Sequence, residues 1–89
     1  MPTVRIRIEG LVQGVFFRAK TKEKSDELKL TGWVRNNDDG AVEIHAEGPE
    51  EKLRELELWC RRGPPAAQVK SVSAEEVPGE DCGSFEIRL

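Results

Sequence analysis

Apolar residues in this chain recur with a period of two in five short runs and with helical spacing in two longer ones, interleaved as strand, helix, strand, strand, helix, strand, strand. A strand sends alternate side chains to opposite faces, whereas a helix returns to one face every three or four residues, so the two periods mark different elements. Val4, Ile6 and Ile8 alternate with Arg5, Arg7 and Glu9. Trp33-Val34-Arg35 is a shorter run, and Val42, Ile44 and Ala46 alternate with Glu43, His45 and Glu47. Val69 to Val77 is a less regular strand, and Phe85, Ile87 and Leu89 alternate with Glu86 and Arg88. Asp39-Gly40 between two such runs predicts a hairpin, because glycine accepts the positive φ that these turns require.

The helical segments differ in how clearly they are marked. The first runs without Gly or Pro through Leu30 and puts Phe17, Thr21, Ser25 and Leu28 on one side, a narrow stripe that is half polar. The second opens at Gly48-Pro49-Glu50-Glu51, with Gly48 as cap, Pro49 at the first helical position and acids at the positive helix end. Leu53, Leu56 and Cys60 form its inner face, with Trp59 at the margin and Leu58 pointing away. Arg61 and Arg62 suit its negative end, Gly63 is placed to close it in a left-handed conformation, and Pro64-Pro65 stop it. Two helices among five strands, with a hairpin in the middle, predict an α+β fold: a ferredoxin-like split βαβ sandwich, βαββαβ plus an extra strand. Both helices are expected on one face of a mostly antiparallel sheet. At 89 residues the chain has room for a single core, so residues 1–89 read as one domain.

Composition narrows the function classes. Fourteen Lys and Arg stand against 17 Asp and Glu, a formal charge of −3 that argues against phosphate-neutralising nucleic-acid binding. No run approaches the ~18 apolar residues of a membrane span. Met1-Pro2-Thr3 leads straight into a charged alternating segment without the pattern of a secretory signal, which predicts a cytoplasmic protein. Cys60 and Cys82 show neither C-x-x-C spacing nor scaffold density, which argues against structural zinc. They read as two independent thiols, with a bridge as the alternative if the 35% charged content reflects heat adaptation.

Gln13-Gly14-Val15-Phe16-Phe17-Arg18 carries the most chemistry. A glycine-containing turn that feeds a helix start presents several unpaired N–H groups to one point and attracts anions. Arg18, in the first turn, adds a planar, permanently charged fork suited to two phosphoryl oxygens. Spacing alone favours the plainer reading, an ordinary strand-to-helix turn with a solvated arginine.

Across essentially its whole length the chain resembles the acylphosphatase family. The likeness is carried by Gly10-Leu11-Val12-Gln13-Gly14-Val15-Phe16-Phe17-Arg18, by Gly32-Trp33-Val34-Arg35-Asn36 and by Asp39-Gly40-Ala41-Val42-Glu43. It continues through Gly48-Pro49-Glu50-Glu51, Gly63-Pro64-Pro65-Ala66 and Phe85-Glu86-Ile87-Arg88. The resemblance implies hydrolysis of the carboxyl–phosphate bond of acyl phosphates, with no metal or organic cofactor. It implies Arg18 as the phosphate-binding arginine, Asn36 as the water-positioning asparagine, and main-chain amides of Gln13, Gly14, Val15, Phe16 and Phe17 as further phosphate ligands. The partner it implies is a small acyl phosphate, with inorganic phosphate or sulfate competing, for a monomer that binds neither nucleic acid nor membrane. Two positions depart from the family: Ser25 replaces a usual alanine, and Lys29 replaces the glycine that ends the first helix. A left-handed Lys29 would cost about 1 kcal/mol, so the helix is expected to end by another route.

Other residues invite chemistry but read more simply. His45, the one histidine, falls on the polar face of its strand and is expected to be solvated. Asp38 and Asp39 serve the turn beside Gly40. Trp33 and Trp59 pack at the core or its margin, Phe17 fits the inner stripe and Phe16 lines the loop. Cys60 is a small core residue, and Cys82 a loop thiol without a neighbouring base. Two rival readings are a non-catalytic anion-binding module and an RNA-binding sandwich. The second is disfavoured because Arg5, Arg7, Glu43 and His45, not aromatics, take the outward positions.

Overall fold

The computed structural model describes residues 1–88. Its elements are β1 (Thr3–Leu11), α1 (Phe17–Glu27), β2 (Thr31–Asn36), β3 (Val42–Glu47), α2 (Glu50–Arg62), β4 (Gln68–Glu76) and β5 (Phe85–Ile87). One five-stranded sheet has the order β4-β1-β3-β2-β5, with every pairing antiparallel except β2 with β5. The expected α+β sandwich is therefore present, and the added strand supplies the parallel edge. Leu89, last of the alternating apolar residues at the C-terminus, lies outside the described residues.

The alternation in β1 and β3 sorts the two faces. Ile6, Ile8, Val42, Ile44 and Ala46 are fully or almost fully buried in one cluster with Phe17 and Leu28 of the α1 segment and Leu53, Leu56 and Cys60 of α2. Each fully buried aliphatic side chain contributes about 1.5–3 kcal/mol by leaving water. Phe17 meets Trp59 edge to face at 5.6 Å between ring centres, which joins the two helices. The half-polar stripe of α1 is real: Thr21 and Ser25 are fully buried, and their hydroxyls have no hydrogen-bond partner among the described residues.

Three helix ends depart from expectation, one of them at Gly63, which closes α2 with φ 68° but an extended ψ of −176° in place of the left-handed helical conformation. Pro49 is the residue before α2, not its first helical residue, and its carbonyl accepts the N–H groups of Lys52 and Leu53. At the end of α1, Lys29 does adopt the left-handed conformation, with φ 59°. The N–H of Leu30 reaches the carbonyl of Ser25, and that of Lys29 reaches Asp26, so a six-to-one and a five-to-two bond close the helix together. These two bonds outweigh the strain of a Cβ in that region. Replacing Lys29→Gly is expected to stabilise the fold by about 1 kcal/mol, raising Tm by roughly 4–8 °C in thermal unfolding.

Candidate active site

At the end of β1 the ladder with β4 slips between Glu9 and Gly10. Gly10 has φ 131°, and a Cβ there would stand 2.2 Å from the Gln68 carbonyl oxygen, so only glycine lets the strands approach and the chain turn away. Val12, 1% exposed, anchors the departing chain in the core. Gly14 at φ 74° and Phe16 at φ 64° then take left-handed conformations on either side of Val15. This alternation points successive N–H groups to one side of the loop. No carbonyl of the described residues accepts a hydrogen bond from the amides of Gly14 through Ala19, and the first intrahelical bond is Lys20 to Phe16. Phe16 caps α1 without any side-chain hydrogen bond. A helix start normally recruits a side-chain oxygen for these donors; here the donors stay open.

Around this cup lies a cavity of about 310 Å³ lined by Val12, Gly14, Phe16, Phe17, Arg18, Ala19, Asn36 and Ile87. Arg18 and Asn36, separated in sequence, thus face one space. Arg18 Nη1 donates to the Arg88 carbonyl at 3.2 Å, so the residue that follows β5 helps aim the guanidinium. Asn36 is the last residue of β2 and is half-buried. Gln13 and Val15 are not on the cavity wall. Gln13 turns to the β2–β3 hairpin, where its Nε2 donates to the Asn37 and Ala41 carbonyls at 2.8 and 2.9 Å, tying the loop to the element that carries Asn36. Val15 packs against the core. Sequence reasoning missed Ile87 and the Arg88 carbonyl, because nothing local in β5 signals that parallel pairing with β2 brings it to α1. A groove of about 450 Å³ at the other end of β1 is lined by Glu50, Glu57 and Glu76 against Arg54, a balance that repels a phosphate dianion.

Asp39 serves its turn as expected: its Oδ1 accepts the Ala41 N–H at 3.1 Å and its Oδ2 pairs with Arg7. Hydrogen bonding from Arg7 holds the Asp39 carboxyl below its ordinary value. Cys60 is a buried free thiol, pushed above its ordinary value by burial, and Cys82 is also free.

The acylphosphatase family model matches residues 4–87. An acylphosphatase of Synechococcus sp. strain RCC307 is 52% identical over 84 residues, which are 94% of this chain and 72% of that protein. One from Pseudomonas aeruginosa is 47% identical over 81 residues, covering 91% and 89% of the two chains. The crystal structure of acylphosphatase from Bacillus subtilis superimposes with a TM-score of 0.96 at 41% identity and covers both chains completely.

The sheet face away from the helices corrects the reading of His45. It is not solvated but 0% exposed. Trp33 stacks on it at 5.5 Å with an interplanar angle of 8°, and the guanidinium groups of Arg5, Arg35 and Arg88 lie over the indole. The link between β4 and β5 packs over this face: Glu47 accepts the N–H groups of Glu80 at 2.6 Å and Cys82 at 3.1 Å, and pairs with His45 Nε2 at 2.8 Å. Cys82, expected to be an exposed loop thiol, is half-buried and has titratable neighbours that the sequence does not identify. Trp33, 3% exposed, offers no surface for a stacked base.

Burial alone raises the Glu47 carboxyl, but the Glu80 amide, His45 and the Cys82 amide together outweigh it and hold the group below its ordinary 4.5. A carboxyl depressed in the folded state contributes its full stabilisation above the unfolded value and loses it as pH falls through the folded one. Glu47→Gln is expected to cost about 1–3 kcal/mol near neutral pH. Denaturant unfolding at a series of pH values should show that deficit shrinking below pH 4.5 as the wild-type carboxylate protonates.

Proposed function

The chain belongs to the acylphosphatase family and is an enzyme of that activity, and from this premise we propose how its residues carry the reaction. The phosphoryl group of a small acyl phosphate sits in the cup between Gln13 and Arg18. Main-chain amides from Gly14 onward and the Arg18 fork take its oxygens. The observation that carries this reading is a run of amides that no main-chain carbonyl of the described residues accepts, on a loop whose Gly14, Phe16, Phe17 and Arg18 line one cavity with Asn36. A doubly charged tetrahedral group matches that donor array, since fixed N–H dipoles at a helix start need no reorganisation to receive it.

An acyl phosphate is already activated, its carboxylate being a good leaving group, so positioning and charge stabilisation suffice without a strong base. The Asn36 carboxamide, with one acceptor and two N–H donors, orients a water toward phosphorus. The water oxygen bonds to phosphorus as the bond to the acyl oxygen breaks. The carboxylate leaves with that electron pair, and a phosphate oxygen receives the water proton. Arg18 and the amides hold the charge that builds on the equatorial oxygens. Inorganic phosphate and sulfate share the tetrahedral anionic shape and compete for the cup. The reading includes a monomer and a cytoplasmic location, the latter supported by two free thiols of the kind that reducing compartments keep.

Steady-state kinetics on a carboxylic phosphoric anhydride, with calorimetry of phosphate binding, tests these roles. Arg18→Ala is expected to abolish nearly all turnover and phosphate binding. Asn36→Ala should lower kcat by ~10²–10³ with little change in phosphate affinity, the scale for removing one preorganised group. Wild-type rates in either variant would reject the assignment. Gln13→Ala, which releases the loop from the hairpin, is expected to lower kcat/KM by up to about 10²-fold through misplacement of the cup relative to Asn36.

A further inference from the structure

On the helix-free side of the sheet, three metal-ligating side chains of different chemistry meet. His45 and Glu47 come from β3 and Cys82 from the link that folds over it, and their ligand atoms lie within 4.8 Å of one another. His45 Nε2 is 2.8 Å from Glu47 Oε2, and Cys82 Sγ is 3.7 Å from the same oxygen. Ligand atoms of a tetrahedral zinc site with ordinary bond lengths stand about 3.4–3.6 Å apart, so modest opening of the imidazole–carboxylate pair admits a cation.

The second observation is an orphan. His45 is fully buried, yet its Nδ1 has no hydrogen-bond partner among the described residues. Glu80 Oε2 stands 3.9 Å from it and 3.8 Å from Arg5 Nη2, and Glu80 is itself held by the Trp33 indole N–H at 3.0 Å. When Nε2 carries the ring's one proton and donates to Glu47, Nδ1 turns a bare lone pair toward a carboxylate. A cation on Nε2 reverses this: the proton moves to Nδ1 and faces Glu80, giving the carboxylate–imidazole–metal relay that orients ligating histidines. Glu47 is pre-aimed in the same way, each of its oxygens holding a main-chain N–H of the link.

Although cysteine spacing argues against structural zinc, the fold brings one cysteine to two other ligand types, and we propose that His45 Nε2, a Glu47 carboxylate oxygen and Cys82 Sγ form a zinc-type site, completed by water, that fastens the β4–β5 link to the sheet. Mixed nitrogen, oxygen and sulfur donors suit a borderline-soft divalent ion. Cys82 and Glu80 also line a cavity of about 200 Å³ with Gly32, Gly83, Ser84, Glu86 and Arg88, which provides an approach from solvent where two carboxylates face one guanidinium. Burial and then the charges of Glu47 and Glu80 hold the Cys82 thiol above its ordinary value. A bound dication inverts that balance and displaces the thiol proton to solvent. The site lies on the opposite sheet face from the helices and shares no ligand with the phosphate cup, although Arg88 touches both, its carbonyl accepting from Arg18 and its guanidinium lying over Trp33.

Cobalt(II) titration of the reduced chain near neutral pH provides the test. Wild-type protein is expected to bind one equivalent with visible tetrahedral bands and a near-ultraviolet thiolate charge-transfer band, both displaced by zinc. Zinc should raise Tm, and a chelator should reverse the rise. Cys82→Ala, a change on the partly exposed link, is expected to lose the charge-transfer band and weaken binding by more than about tenfold, with acyl phosphate turnover unchanged. Cys60→Ala should keep the band. Absence of a one-to-one tetrahedral spectrum in the wild type, or its survival in Cys82→Ala, overturns the proposal.

Discussion

Main-chain donors that the fold declines to satisfy govern this structure. An amide without an acceptor is costly in a buried place and tolerable where an anion or water can reach it, so a run of them at the start of α1 fixes where the surface must open. The rest of the loop's geometry maintains that arrangement. Gly10 turns the chain out of the sheet, Val12 and Phe17 pin its two ends in the core, and Gln13 lashes its middle to the hairpin. The loop cannot fold back to pair its own donors without breaking one of these contacts. On the proposed reading, donors aimed before the substrate arrives need no reorganisation to receive it.

The opposite face of the sheet is managed by other means. An α+β sandwich with both helices on one side leaves the second side to polar residues, as a one-sided antiparallel sheet usually does. Here Trp33 and His45 stack on that side beneath three arginines, and the link between β4 and β5 packs over them through Glu47. The result is a small second polar cluster whose charges are paired across distant segments. Arg5 reaches toward both Glu43 and Glu80, and Arg35 binds Glu43. One domain thus has two chemically distinct polar centres, and Arg88 touches both, its carbonyl accepting from Arg18 and its guanidinium lying over Trp33.

Much of the architecture was legible because it depends on local periodicity. Val4 to Glu9 and Val42 to Glu47 alternate so strictly that any sheet containing them buries Ile6, Ile8 and Ile44. The boundaries of α2 were written in Pro49, the paired acids and the Gly63-Pro64-Pro65 stop, within one residue at the start. The end of α1 was misjudged at Lys29, where the penalty of a left-handed side chain was visible but the two compensating hydrogen bonds were not. His45 was misjudged for a related reason. Alternation assigns a residue to a face, but whether that face is wet depends on what another segment lays over it.

Sequence by itself determined the class of fold, the two-faced sheet, the family and the candidate residues Arg18 and Asn36, since each is encoded in short patterns or in motifs that survive as strings. Tertiary structure alone decided that these two side chains border one cavity, that Gln13 braces the loop instead of lining it, and that His45, Glu47 and Cys82 meet. Those outcomes rest on strand order and on a link that crosses the sheet, and contacts between segments dozens of residues apart leave no periodic mark in a chain.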